Sequence, residues 1–401
     1  MNPISYIKSH GIKGTWDVIY RYKIDQQLKR IAMKITKNKP LQNTIVIESH
    51  NDFDSNGGAF YEYLLKKHYN DKYKIVWLLK NEKPTKLPKN VKAFYLYKPS
   101  LKKQKEICTA KYILTCQDVI GSVRDGQTSV YLTHGPVGLK ATKGKVNLPQ
   151  SLTYCLMPSE YLEHILKDQY QISNTDIKSV VLGYPMHDLL YMHMPLKKEL
   201  NKITNEHYNK VILWMPTFRK GKAFGRNDSN FEEPLGIPIF YDLKSLSELN
   251  HRLKLENALL IIKIHPMQDK ETIKVKDMSN IKVLDGDSAR KLNVDNYRLM
   301  KDADALISDY SSAAYDYLHL DRPIGFTVDD AKEYKLGFIV EPPEQLMGGR
   351  IIMNQLDFID FIDSVLRNED PYKNKRHEVF DKVFKYHDGN SCQRLADFLK
   401  L

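Results

Sequence analysis

No stretch of this 401-residue chain holds the roughly 18 consecutive apolar side chains that a membrane-crossing helix needs, so no transmembrane helix is expected. The N-terminus also lacks the charged, then apolar, then small-residue order of a secretory signal, which leaves a cytoplasmic chain as the expectation. Cysteine is scarce. Cys108, Cys116, Cys155 and Cys392 are scattered, with no Cys-x-x-Cys pair and no Cys/His cluster at metal-ligand spacing. Disulfides and structural zinc are therefore not expected, and the four read as small core residues. Internal repeats and low-complexity tracts are missing too, which argues against a solenoid or a disordered linker protein.

What is present fits a folded enzyme-sized chain. The length suits two α/β domains better than one core. Hydrophobic residues make up 42% and charged residues 27%, a globular balance. The net charge of +12 favours anionic partners, whether nucleic acid, phospholipid or a phosphate-rich substrate. From Met1 to Lys39 nine Lys/Arg face only Asp17 and Asp25, interleaved with Trp16, Val18, Ile19, Tyr20 and Tyr22. That mixture suits the interface of an anionic membrane. A solvated helix packed on the first domain explains it equally well.

Apolar β-branched runs alternate with helical patterns along the rest of the chain. Thr44–Glu48, Tyr73–Leu79, Val91–Leu96, Tyr112–Thr115 and Ser129–Thr133 read as strands, with helices over Ala59–Lys67 and Leu101–Ala110. A second series follows, with strands at Lys210–Met215, Ala258–Ile264, Ile281–Leu284, Ala303–Ser308 and Pro323–Phe326. Its helices lie over Asn296–Lys301 and Ser311–Leu320. Lys220–Pro238, with several Gly, Asn and Asp, reads as a mobile loop. This alternation predicts an α/β protein with two Rossmann-like domains of parallel strands facing a cleft. The predicted division is a basic segment 1–39, a first domain 40–190 and a second domain 206–401.

Ligands of open parallel sheets bind beyond the C-terminal ends of the strands, and unusual residues collect there. His134-Gly135 follows one strand, Pro216-Thr217-Phe218-Arg219 another, Lys263-Ile264-His265-Pro266 a third, and Asp309-Tyr310-Ser311-Ser312 a fourth. Ser311 and Ser312 at a helix start leave backbone N–H groups for an anion, although plain helix capping accounts for them as well. A histidine can take a proton from a hydroxyl near neutral pH, and two at matching strand ends suggest a catalytic pair, His134 and His265. Lys263 and Arg219 can neutralise phosphate charge, or can be surface charges. His187, His251 and His319 lack this placement and read as structural or exposed.

These segments, in this order, resemble the CDP-glycerol glycerophosphotransferase family, the primases and polymerases of teichoic acid and related capsule polymers. Tyr131–Lys140 (YLTHGPVGLK) is similar to the family's W-H-G-T-P-x-K segment, and Gly183–Leu190 (GYPMHDLL) to G-x-P-R-x-D. Trp214–Arg219 (WMPTFR) is similar to A-P-T-W-R, and Lys263–Pro266 to K-x-H-P. Ser308–Phe326 (SDYSSAAYDYLHLDRPIGF) is similar to T-D-Y-S-S with its D-x-x-x-L-x-R-P sequel, and Lys385–Arg394 to D-G-x-A-S-x-R. Two departures stand out. Pro136-Val137-Gly138 replaces the usual Thr-Pro-x-Lys, and Met186-His187 replaces Arg and a polar residue.

The resemblance implies a GT-B-like fold, with 40–190 as acceptor domain and 206–401 as nucleotide-donor domain. It implies a CDP-linked polyol donor, release of CMP, and an acceptor carried on a polyprenyl diphosphate lipid. The enzyme would then sit peripherally on the cytoplasmic face of the membrane, against its anionic surface. In that reading His134 is the general base and His265 binds and polarises the diphosphate. Arg219, Ser311 and Ser312 hold donor phosphate oxygens, and Gly135, Thr217, Lys263 and Asp309 support them. Asp309 orients a neighbour or meets a ribose hydroxyl. No acidic cluster suggests a required Mg²⁺, so no metal and no cofactor is expected. No nucleic-acid motif appears, so no nucleic-acid partner is expected. Two alternatives stay open, a sugar-nucleotide glycosyltransferase of the same fold and a non-enzymatic basic protein that binds membrane or nucleic acid.

Overall fold

The computed structural model describes residues 3–135, 137–193, 197–221 and 227–401, with side chains from residue 16 onward except Asp17. Pro136 of the His134 segment and residues 222–226 of the expected loop lie outside the described residues.

The elements run α1 (Pro3–Thr36), β1 (Gln42–Ile47), α2 (Ser55–Lys66), β2 (Lys74–Leu79), β3 (Val91–Tyr95), α3 (Leu101–Thr109), β4 (Ala110–Thr115), β5 (Thr128–Tyr131), β6 (Tyr154–Met157), α4 (Glu160–Gln169), β7 (Lys178–Val181) and α5 (Asp188–Tyr191). They continue with α6 (Leu200–Ile203), β8 (Lys210–Trp214), α7 (Leu243–Leu255), β9 (Ala258–Lys263), β10 (Ile281–Leu284), α8 (Gly286–Lys291), α9 (Asn296–Asp302) and β11 (Ala305–Ser308). The last are α10 (Ser312–Leu318), β12 (Ile324–Thr327), β13 (Arg350–Ile352), α11 (Gln355–Leu366), α12 (Lys373–Val383) and α13 (Ser391–Phe398).

Two all-parallel sheets result. The first has the order β3-β2-β1-β4-β5-β6-β7 and the second β10-β9-β8-β11-β12-β13. The sequence explains why. β9 (ALLIIK) is buried at every position, which only a sheet covered on both faces allows. On one face of the second sheet Ile212, Trp214 and Ile262 meet Leu246, Leu249 and Leu253 of α7 and Phe358, Phe361 and Ile362 of α11. Helix starts are marked by the expected short polar residues. Ser100 caps α3 through Lys103 N–H, Asp242 caps α7 through Ser245 N–H, and Asn354 caps α11 through Asp357 N–H.

The chain forms two compact units. The first holds residues 1–136, 143–191 and 384–401, and the second holds 137–142 and 192–383. This departs from the division read off the sequence, because two segments pack away from their neighbours in the chain. In the second unit Leu139 N–H donates to Tyr310 O (3.2 Å), Ala141 N–H to Gly337 O (3.0 Å), and Ile339 N–H to Leu139 O (2.8 Å). In the first unit the Asp188 carboxylate caps α13, accepting from Ser391 N–H and Cys392 N–H at 2.8 Å each. Arg394 Nε donates to Leu182 O at 2.7 Å. Gly183, at φ +75°, lies where a Cβ would meet Ser391 Oγ at 2.4 Å. The GYPMHD and HDGNSCQR segments, some 200 residues apart in sequence, thus form one structure. His187 is buried there, edge-on to Tyr184 and Phe384.

Among the described residues no helix is long and apolar enough to cross a membrane. The C-terminal half of α1 is docked on the first unit. Asp25 pairs with the buried Lys103 (3.0 Å) and accepts from Gln104 Nε2 (2.7 Å), while Arg124 donates to Thr36 O and Lys39 O. All four cysteines are buried.

Candidate active site

In open parallel sheets the crevice for ligands opens where the strand order reverses. In the second unit that point lies between β8 and β11, the central pair from which the order runs out both ways. The loops leaving these two strands are Met215–Arg219 and Asp309–Ser311, the chemistry-bearing segments singled out from sequence.

A buried carboxylate locks those two loops together. Asp309 accepts from Thr217 N–H (2.8 Å), Thr217 Oγ1 (2.5 Å) and Arg219 Nη1 (2.9 Å). Asp309 thus holds Thr217 and Arg219 together. Lys140 Nζ reaches Thr217 Oγ1 at 3.4 Å. Arg219 is not a surface charge, one of the two readings of it from sequence. Only 1% of it is exposed, and Asp330 takes Nε and Nη2 (2.6 and 3.0 Å) while Thr217 O takes Nη1 (3.0 Å). The rings of Tyr310 and Tyr334 flank it at 5.3 and 5.4 Å. Burial opposes its charge, but Asp309, Asp330 and Glu233 more than offset that and raise its pKa. Arg219 thus ties Asp309, Asp330 and the Thr217 backbone together. Glu233, with Oε1 3.9 Å from Arg219 Nε, is pushed up to about 8 by desolvation, which the Arg219 charge only partly opposes.

Ser311 is the N-cap of α10, its hydroxyl accepting from Ala313 N–H at 3.3 Å. Ser312 opens the helix. The backbone at Gly138 lies against this turn, where an added Cβ would stand 3.1 Å from Tyr310 O and 3.3 Å from Ser312 N. His265 follows β9, with its ring against Phe218 at 4.9 Å. Its Nδ1 accepts from Met267 N–H (3.0 Å), so in the neutral ring Nε2 carries the proton and is a donor. Lys263, at the end of β9, is 6% exposed and makes no hydrogen bond or ion pair among the described residues, and burial lowers its pKa. A buried ammonium without a partner is costly unless an anion joins it.

His134 and Gly135 lie in the first unit, beyond β5. The imidazole of His134 stacks on that of His50, with centroids 5.0 Å apart and planes at 22°. As a residue His134 is exposed. Partial desolvation of its ring, and then the stacked His50, lower its pKa to about 4, so it is neutral over the physiological range. His50 Nδ1 is 3.2 Å from Gln117 Oε1.

Beneath the pair is a network that the sequence did not disclose. Glu48, fully buried, accepts from Cys116 N–H and Gln117 N–H at 2.9 Å each and pairs with Lys80 Nζ at 2.5 Å. Lys80 also binds Asp118 (2.8 Å), Ser49 O (2.7 Å) and His50 O (3.0 Å). One ammonium thus fixes the backbone that carries His50. A glutamate ending an otherwise apolar strand run (TIVIE) was the only sign of it.

The family profile described as CDP-glycerol:poly(glycerophosphate) glycerophosphotransferase matches residues 31–401. The teichoic acid glycerol-phosphate primase of Bacillus subtilis is 30% identical over 259 residues, covering 62% of this chain and 58% of that protein. The teichoic acid ribitol-phosphate polymerase TarL of Staphylococcus aureus is 31% identical over 232 residues, covering 55% of this chain and 36% of that protein. The chain thus spans about half the length of these curated relatives or less. The wall teichoic acid polymerase TagF shares the fold, with a TM-score of 0.71 at 19% identity over 100% of this chain and 98% of that chain.

Proposed function

Because the chain belongs to the CDP-glycerol:poly(glycerophosphate) glycerophosphotransferase family, we propose that it transfers glycerol phosphate from CDP-glycerol to a hydroxyl of a lipid-linked acceptor in the synthesis of teichoic acid or a related cell-surface polymer. The acceptor oxygen bonds to the phosphorus that bears glycerol. The bond from that phosphorus to the bridging oxygen breaks, and CMP leaves with the electron pair. His134, neutral near pH 7, takes the acceptor proton. His265 donates from Nε2 to the diphosphate, and Ser311, Ser312 and the Lys263 ammonium hold its oxygens. Thr217, Asp309 and Arg219 keep the two central loops in register, and Gly135 supports His134 as its neighbour in the chain.

The observation that carries this reading is the switch point of the second sheet. The loops that resemble the family's segments meet there, and a buried ammonium without a partner lies one strand away. The acceptor is proposed to be held on polyprenyl diphosphate, which places the enzyme peripherally on the cytoplasmic face of the membrane. The exposed Trp16, Tyr20 and Tyr22 of α1 support that placement. Incubation with CDP-glycerol or CDP-ribitol and a lipid-linked acceptor, with products identified by mass, tests the proposal. Addition of glycerol phosphate with stoichiometric CMP is expected. Release of a nucleoside diphosphate would point to sugar transfer, and addition of ribitol phosphate alone would change the donor.

A further inference from the structure

We propose that Asn56 is a positioning residue for His134, clamping the left-handed backbone of Thr133 that aims the imidazole; this rests on His134 acting as the base. Asn56 comes from a polar, glycine-containing stretch (SHNDFDSNGG), where an asparagine usually caps a turn or faces water. It does neither, being fully buried in the first turn of α2. Its Nδ2 donates to Leu132 O (2.8 Å) and Thr133 O (3.0 Å), and its Oδ1 accepts from Met186 N–H (3.1 Å).

Those two carbonyls lie just past β5. Regular pairing with β4 ends where Leu132 N–H donates to Thr115 O at 2.8 Å. Beyond that point the chain has lost the neighbour that would fix it, and Asn56 supplies the bonds instead. The need is specific. Thr133 sits at φ +60°, a conformation that a β-branched residue rarely adopts, and it directly precedes His134. Thr133 Oγ1 donates to Gly135 O (2.8 Å) and Ser55 Oγ to His134 O (3.2 Å), so the segment is held on both sides. The surrounding chain is tight enough to keep the clamp still. Phe53 and Ser55 are also left-handed, at +61° and +56°, and a Cβ on Gly58 would stand 2.3 Å from Phe53 O. No other side chain of this size has two donors and an acceptor in one plane. Aspartate would turn an oxygen towards the two carbonyls, and glutamine is one methylene too long.

The test uses the full chain with Asn56→Asp, which keeps the volume and the Met186 bond, and Asn56→Ala, which adds no charge. CMP release from CDP-glycerol with a lipid-linked acceptor gives kcat and the donor KM. Carbon-13 histidine labelling reads the His134 imidazole directly, its signal identified by its loss in His134→Ala. A misplaced base should lower kcat roughly ten- to a hundredfold in folded variants and leave the donor KM within about twofold, with the His134 signal shifted or split. A folded variant with kcat within about threefold of wild type, or with the His134 signal unmoved, overturns the clamp. If either variant fails to fold, the other gives the same two readings. Should His134→Ala itself keep normal turnover, the base assignment falls, while the imidazole signal still reports whether Asn56 positions the ring.

Discussion

Asp330 grips Arg219 with both carboxylate oxygens, Oδ2 at 2.6 Å from Nε and Oδ1 at 3.0 Å from Nη2, inside the second unit. Tyr310 OH adds a bond to Oδ1 at 3.1 Å. Removing Arg219 strands two buried carboxylates, Asp309 and Asp330, a loss worth about 3–5 kcal/mol. Arg219→Ala should therefore lower the melting temperature of the second unit by roughly 10 °C or more. Arg219→Lys should recover little, because an ammonium cannot make the two parallel bonds. Calorimetry with a donor-binding isotherm decides the matter. Unchanged melting with weakened CDP-glycerol binding would return Arg219 to the role of phosphate ligand.

His134 and His265 should fail in different ways. His134→Ala is expected to cut kcat about a hundredfold or more with the donor KM little changed. His265→Ala should also raise the donor KM, since its Nε2–H is proposed to donate to the diphosphate. With His134 held at about 4, the acid limb of the turnover profile should lie well below the usual histidine range. The stability sign follows. Between the ordinary histidine pKa and about 4 the unfolded chain binds the proton first, so the wild type loses stability as pH falls through that window and His134→Ala does not. An acid limb near the ordinary value would mean a fully solvated ring.

Glu233 gives the opposite pH signature in the second unit. Its carboxyl is raised to about 8, chiefly by desolvation, so the folded state favours the protonated form. Stability from this group is complete below the ordinary glutamate range and is lost as pH rises towards 8. Glu233→Gln should change little at low pH and raise the melting temperature by roughly 3–8 °C at pH 8–9. A pH-independent difference between the two proteins would reject the assignment.

Legibility from sequence tracked the range of the interactions. Strands announced by apolar β-branched runs were found within a residue or two, and Ile281–Leu284 matched its range. The loop ends with His134, Thr217, His265 and Ser311 were placed correctly because each follows such a run. What stayed hidden depended on distant partners. Arg219 is buried by Asp330, 111 residues further on, and nothing beside either residue in the sequence announces the pair. Glu48 looked like the end of a strand, and only Lys80 and the Cys116–Gln117 backbone reveal it as an anchor. The return of residues 384–401 to the first unit was equally invisible, since an Asp188 cap on α13 leaves no periodicity.

The Trp16–Lys23 stretch of α1 is expected to bring the enzyme to anionic lipid. Trp16, Tyr20 and Tyr22 are each about two-thirds exposed, at 64%, 65% and 65%, with Val18 and Ile19 also open. Trp16, Ile19, Tyr20 and Lys23 recur at i, i+3, i+4 and i+7, one face of the helix, so aromatic rings and a cation can enter the headgroup layer together. Each Lys or Arg near an anionic surface adds about 1 kcal/mol, which salt weakens. The part of α1 from Asp25 onward has a different task, because Asp25 compensates the buried Lys103. Deletion through Lys39 would strand that ammonium and confuse unfolding with loss of binding. Deletion of residues 1–22, or Trp16→Ala with Tyr20→Ala and Tyr22→Ala, leaves the Asp25 pair intact. Sedimentation with anionic and with neutral vesicles, at low and high salt, then isolates the anchor. Binding should fall at least tenfold in either variant and be salt-sensitive in the wild type, a loss of about 1.4 kcal/mol or more. A folded variant that sediments with anionic vesicles as well as the full chain would show that this face of α1 does not carry membrane attachment.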